Sequence, residues 1–231
     1  MAFDIGEVIS YFEMCMEEGV NLQRGMNFRL GTTYSVILMS ERPGAPYEDY
    51  TEDEGRTLIY EGHDVINQKG GPDPKEVDQP MYNPSGTLAQ NGKFYAAAEQ
   101  FKAGSPPEIV KVYEKIRSGI WTYNGYFRLV DAWLEEIKSR KVFKFKLELI
   151  ENQKEIDSEE LTVIDHPRVI PSWVKREVWK RDQGKCALCG SGDNLHFDHI
   201  IPYSKGGSSR DPKNIQLLCA RHNLKKSDTI Q

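Results

Sequence analysis

Residues 194–226 read NLHFDHIIPYSKGGSSRDPKNIQLLCARHNLKK, which gathers three histidines, two aspartates and a cysteine around a Gly-Gly turn. Cys186-x-x-Cys189 lies just upstream, and the stretch itself contains Cys219-x-x-His222. A short knuckle offering two thiolates, with a Cys and a His three apart on one helical face, makes a four-ligand zinc set. A segment of about 60 residues has little core of its own, so a metal that folds it is physically sensible. Disulfides are the other use of such cysteines, but in a reducing compartment this distribution favours metal. Zinc leaves His196, Asp198, His199 and Asn214 without a role. A strand over LHFDHII turns His196 and Asp198 to one side and His199 to the other.

The elements that must position these groups show a divided chain. At 231 residues there is room for one medium and one small domain. Residues 171–231 hold 11 Lys and Arg against 6 Asp and Glu, while residues 1–170 hold 19 against 29. A small basic module on an acidic body is compatible with nucleic-acid binding. Ile5, Val8, Ile9, Phe12, Cys15 and Met16 recur at helical spacing, with Gly19 as a stop. Met14 and Met16 then read as core packing, and Cys15 as a buried, inert thiol. Strand texture follows at 33–39, 56–60, 108–116 and 142–150. The last alternates cleanly, with Phe143, Phe145, Leu147 and Leu149 on one face and Lys144, Lys146 and Glu148 on the other. Several strands, few helices and long Gly/Pro-rich loops predict an α+β chain built on a curved β-barrel. The acidic stretch 151–170 reads as a linker. No apolar run approaches the roughly 18 residues of a membrane span, and the N-terminus is acidic where a secretory signal needs basic residues. A cytoplasmic protein without membrane contact is the expectation.

From WVKREVWKRDQGKCALCG through DHIIPYSKGG and DPKNIQLLC to CARHNLKK, residues 172–227 resemble the HNH nuclease family, a ββα-metal fold. The resemblance implies that His199 is the general base that deprotonates water. It implies that Asp198 binds a divalent ion, Mg²⁺ or Mn²⁺, that stabilises charge on the scissile phosphate. Asn214 would brace the loop carrying His199. Members of the family often place His where this chain has Asn223. Adjacent helical residues point about 100° apart, so His222 goes to the zinc and Asn223 to the catalytic ion, whose hardness suits a carboxamide oxygen. Lys226, three residues on, is a candidate phosphate contact, and His196 reads as structural.

The stretches GTTYSVILMS, APYEDYTEDEGRTLIYEG, EVDQPMYNPSGTLA, WTYNGYFRLVDAW and VFKFKLELI resemble, in that order, the SRA domain, also called YDG. Its eponymous tripeptide here reads Tyr123-Asn124-Gly125. Such domains flip a modified cytosine out of duplex DNA into an aromatic pocket, where stacking and edge hydrogen bonds replace what the helix lost. The resemblance implies that Tyr47 and Tyr60 sandwich the base and that Asp49 accepts its exocyclic amine. Asp78-Gln79 matches a family pair near the pocket.

The sequence therefore predicts a modified-cytosine recognition domain over 1–150, a linker over 151–170 and a zinc-stapled HNH domain over 171–231. The implied activity is hydrolysis of double-stranded DNA near 5-methylcytosine or 5-hydroxymethylcytosine. A single nuclease motif per chain implies a homodimer, or two chains meeting on DNA. Two readings stay beside it: a nuclease indifferent to modification, and a non-catalytic reader of modified DNA.

Overall fold

The computed structural model describes residues 3–150, 169–202 and 205–226. Its larger part is an eight-stranded sheet: β1 (Val8–Ser10), β2 (Met26–Asn27), β3 (Ser35–Met39), β4 (Tyr50–Glu52), β5 (Thr57–Glu61), β6 (Glu108–Arg117), β7 (Ile120–Ile137) and β8 (Arg140–Leu149). The strands run in the order β2-β3-β6-β7-β8-β5-β4, with β1 attached to β7, and only β3 and β6 pair in parallel. The expected barrel does not close. The sheet curves, helped by register shifts at Val112/Tyr113, Lys115/Arg117 and Leu129/Asp131, but ends at β2 and β4.

The alternation seen in β8 is used as expected, with Phe143, Phe145, Leu147 and Leu149 joining the main core. A helix the strand-rich reading passed over, α2 (Gln90–Lys102), covers that core and buries Phe94 and Ala98, one turn apart. The N-terminal helix starts later than predicted. Residues 8–10 form β1, and α1 (Tyr11–Glu18) begins behind a capping box between Ser10 and Glu13. Met14 is fully buried as expected, but Met16 and Phe12 are exposed, because each lies two residues, about 200° of helix, from Met14. Gly19 ends the helix in the left-handed conformation.

The predicted linker lies outside the described residues except at its end. Val169 packs into the core of the large sheet, and the next residue, Ile170, packs into a second core. That second core belongs to a small unit built from α3 (Ser172–Asp182), the hairpin β9 (Leu195–His199) and β10 (Ile215–Cys219), and α4 (Ala220–Lys226). Leu195 and Phe197 point into this core, so His196 and Asp198 take the opposite face of β9.

The two cores meet along a polar seam. Lys175, on α3, is 1% exposed, and its ammonium donates to Glu114 Oε2 at 2.9 Å and to Asn124 Oδ1 at 2.7 Å. Asn124 Nδ2 in turn donates to Glu114 Oε2 at 3.1 Å. The Phe197 amide donates to Gly6 O at 3.0 Å, and Glu7 bridges His196 in antiparallel fashion. Lys175→Ala would leave the Glu114 carboxylate buried without its cation, a loss of about 3–5 kcal/mol. Lys175→Met combined with Glu114→Gln should recover most of it. Urea melts of the three proteins check this, and a Lys175→Ala midpoint equal to wild type would contradict it.

Candidate functional site

Cys186, Cys189, Cys219 and His222 bring their ligand atoms within 4.8 Å of one another. His222 Nδ1 lies 3.4 Å from both Cys186 Sγ and Cys219 Sγ, and Cys189 Sγ lies 3.8 Å from Cys219 Sγ. Zinc–sulfur bonds of ~2.3 Å in a tetrahedron give sulfur–sulfur edges of ~3.8 Å, so the four side chains fit that ion. Burial pushes the Cys186 thiol up, but hydrogen bonds from the backbone at Cys219, Leu188 and Cys189 and from His222 outweigh it and bring it down to about 6. A thiolate ready for a cation results. The cluster joins the knuckle to the start of α4, which is how a unit this small holds its helix against the hairpin.

Asp198 and His199 end β9. Asn214 stands across from them in a short 3₁₀ turn (Pro212–Asn214). Its Oδ1 accepts from the Ile201 amide at 2.9 Å, and its Nδ2 donates to Ile201 O and Ser208 O, each at 3.1 Å. The chain leaving His199 is thereby tied to the chain entering β10. Only glycine fits at position 207, where a Cβ would sit 1.8 Å from Ile201 O. The His199 Nε2 lies 2.8 Å from the Ser209 hydroxyl, which the sequence reading missed. That contact fixes the direction in which the imidazole points.

Lys226 is placed differently from expectation. Its ammonium is 2.7 Å from Asp198 Oδ2 and donates to His199 O, and the side chain is 1% exposed. An amine buried on those acceptors does not reach an outside phosphate, so it orders Asp198 instead. Asn223 is half-buried one turn before Lys226, on the side of α4 that faces Asp198. His196 is buried at the seam, where it bridges Glu7.

On the large sheet, Tyr47, Asp49 and Tyr60 line one cavity of about 460 Å³, together with Arg24, Gly25 and Trp121. Tyr60 is 1% exposed, and its ring belongs to the main core while its hydroxyl reaches His63 Nε2 at 3.3 Å. Both Asp49 oxygens are held by backbone, Ser40 N at 2.9 Å and Glu61 N at 3.0 Å. Burial pushes the Asp49 carboxyl up to about 7 against the pull of those donors and of Lys144, with Glu61 adding to the rise. Tyr47 stacks on His63, ring centres 5.8 Å apart, and Lys75 lies over the Tyr47 ring at 4.3 Å. Burial, with Arg24 nearby, lowers His63 to about 4, so the ring is neutral at pH 7. His63 lines a neighbouring cavity that shares Tyr47, Arg24 and Gly25 with the first, and the sequence reading missed it; its only signal was its place three residues after Tyr60.

Asp78 and Gln79 now have a role. Asp78 accepts from the Lys141 amide at 2.7 Å, and Gln79 Oε1 from the Phe143 amide at 2.8 Å. Gln79 Nε2 donates to Gly62 O at 2.6 Å and Asp64 Oδ1 at 3.1 Å, and Asn91 grips His63 N and O, each at 2.8 Å. The pair pins the loop after Tyr60 to β8.

A curved sheet with such a cavity and a ββα unit with a cysteine cluster define a two-part chain. Residues 3–153 match the SAD/SRA domain model and residues 186–229 the HNH endonuclease model. The chain belongs to the SAD/SRA domain family and carries an HNH segment behind it. It is 28% identical over 160 residues to histone-lysine N-methyltransferase family member SUVH9 of Arabidopsis thaliana; the match takes in 67% of this chain and 23% of that protein. Among solved structures it is similar to the SUVH5 SRA domain in a methylated CHH DNA complex, at TM-score 0.47 and 19% identity, covering 66% of this chain and 92% of that one. It is also similar to ScoMcrA, a type IV phosphorothioation-dependent restriction endonuclease, at TM-score 0.45 and 14% identity, covering 99% of this chain and 56% of that one. Among the described residues no helix is long and apolar enough to cross a membrane.

Elemental analysis separates the roles of the small unit. Cys186→Ala should lose its zinc and unfold that unit, since metal-binding energy here is folding energy. Asp198→Ala should keep zinc and fold. Equal zinc loss from both variants would overturn the partition.

Proposed function

We propose that the chain is a DNA endonuclease directed by a modified cytosine, 5-methylcytosine or 5-hydroxymethylcytosine. The observation that carries this reading is the presence, in one docked chain, of an Asp–His pair braced by Asn214 and a cavity lined by Tyr47, Asp49 and Tyr60. In this reading a base leaves the duplex, stacks on Tyr47, meets the hydroxyl end of Tyr60 rather than its core-packed ring, and offers its exocyclic amine to Asp49. His199 takes a proton from water, and the resulting hydroxide attacks phosphorus as the bond to the leaving oxygen breaks. Asp198 and Asn223 would hold a divalent ion, Mg²⁺ or Mn²⁺, which when bound supplies charge stabilisation to the phosphate and the leaving oxygen. Ser209 keeps the imidazole in its orientation, and Asn214 keeps its loop in place. One such site hydrolyses one strand, so a double-strand break calls for two chains on the DNA.

His199→Ala should abolish cleavage of modified DNA while leaving DNA binding and zinc content unchanged. Near-wild-type cutting by this variant would sink the assignment. The same assay addresses a second reading, favoured by the Lys226 ammonium on Asp198, in which the small unit is a zinc-stapled binding module without catalysis. That reading predicts no cleavage by the wild type with either ion.

The cavity is tested by binding. Tyr47→Ala removes one stacking face, which costs roughly 1–3 kcal/mol per base, or about tenfold to a hundredfold in affinity for modified duplex. Affinity for unmodified duplex should hardly change, because it rests on phosphate contacts. Tyr47 is chosen because truncating Tyr60 would also open the core. Paired titrations at one salt concentration decide it; equal weakening for both DNAs would remove Tyr47 from the pocket.

A further inference from the structure

We infer that Asp4, Glu7 and His196 form a divalent-cation site at the seam between the two domains, suited to a first-row ion such as Mn²⁺. No part of the proposed nuclease chemistry uses these residues, and the inference does not depend on that chemistry. One ligand atom from each of the three lies within 4.8 Å of the others. An ion with bonds of ~2.1 Å spaces its ligands ~3–4 Å apart, so three donors at this spacing can share one. The second observation is His196 itself. It is 6% exposed, it faces Glu7 through the antiparallel bridge between the two residues, and its Nδ1 is buried without a hydrogen-bond partner. A buried imidazole nitrogen left without a partner is costly, and a metal bond satisfies it.

The three side chains are not already satisfying one another, since no hydrogen bond joins them. Glu7 Oε2 accepts only from the Asp4 amide, at 2.9 Å, and Glu7 N donates to Asp4 O, which closes the loop that presents both carboxylates. Burial raises the Glu7 carboxyl above the usual carboxylate range, a strain that a neighbouring dication relieves. Two carboxyl groups and an imidazole make a donor set of the kind that holds a dication. The mixed oxygen and nitrogen set favours Mn²⁺ or Zn²⁺ over Mg²⁺, which prefers oxygen alone. Because Asp4 and Glu7 precede β1 and His196 lies on β9, an ion held there would clamp the two domains together.

The test uses the full chain with Asp198→Ala, loaded with a single equivalent of zinc that the cysteine cluster takes first, so that neither zinc nor the proposed catalytic ion occupies the site under test. Titration with Mn²⁺ followed by electron paramagnetic resonance should show one ion held per chain, with nitrogen coupling from an imidazole. Adding Asp4→Asn and Glu7→Gln, both on the outer side of the seam, should abolish that binding while the circular dichroism spectrum stays unchanged. His196→Gln should remove the nitrogen coupling. No bound Mn²⁺ in the Asp198→Ala protein, or binding unchanged by the paired carboxylate substitutions, would overturn the inference.

Discussion

The structure depends on one buried ion pair. Lys175 reaches out of the small unit and places its ammonium between Glu114 and Asn124 of the large sheet, where all three are about 1% exposed. Removing two charges from water costs several kcal/mol per ion, so such a pair persists only when its remaining hydrogen bonds are well placed. Asn124 provides part of that, while Glu114 Oε1 stays buried without a partner. Its carboxamide accepts from the lysine with one atom and donates to the glutamate with the other. A carboxylate at position 124, as in the family tripeptide, would put a second negative charge on one cation. The asparagine thus makes chemical sense as part of the seam rather than of the cavity.

Around that seam the two parts are stabilised by different means. The large sheet rests on a continuous apolar core in which β8 and α2 interdigitate through Phe94, Phe143 and Phe145. The small unit has ten buried side chains in its core, two of them cysteines of the ligand cluster. The described part of its helix α4 has seven residues, fewer than a free helix needs to hold together. The cluster at one end of α4 and Lys226 at the other bracket Asp198 and His199. Fold and site are therefore parts of one arrangement there.

Much of the small unit was legible in the sequence because its determinants are local. Two C-x-x pairs and an Asp-His strand end are spacings that survive without knowledge of the rest of the chain. Lys226 was not legible, since its helical position is equally compatible with facing solvent, and only the depth of Asp198 decides which way it turns. In the large sheet the alternating strand at 140–149 was plain, whereas α2, with a polar first turn and alanines at its centre, carried little periodic signal. His63 and Asn91 meet across 28 residues, a pairing no local pattern encodes. Tyr60 shows the limit of reading roles from types: it lines the cavity with its hydroxyl end and fills the core with its ring.

Gly6 gives the seam a further meaning. Its φ is +87°, its carbonyl accepts from the Phe197 amide, and a Cβ there would sit 2.9 Å from Phe197 O. The edge of the large sheet is thus in backbone contact with the strand that ends in Asp198 and His199. Under the proposed function this close fit would work as a ruler. A tethered nuclease on a loose string scatters its cuts over a span, whereas a body locked at such a joint would hold recognition and scission at one fixed offset along the duplex.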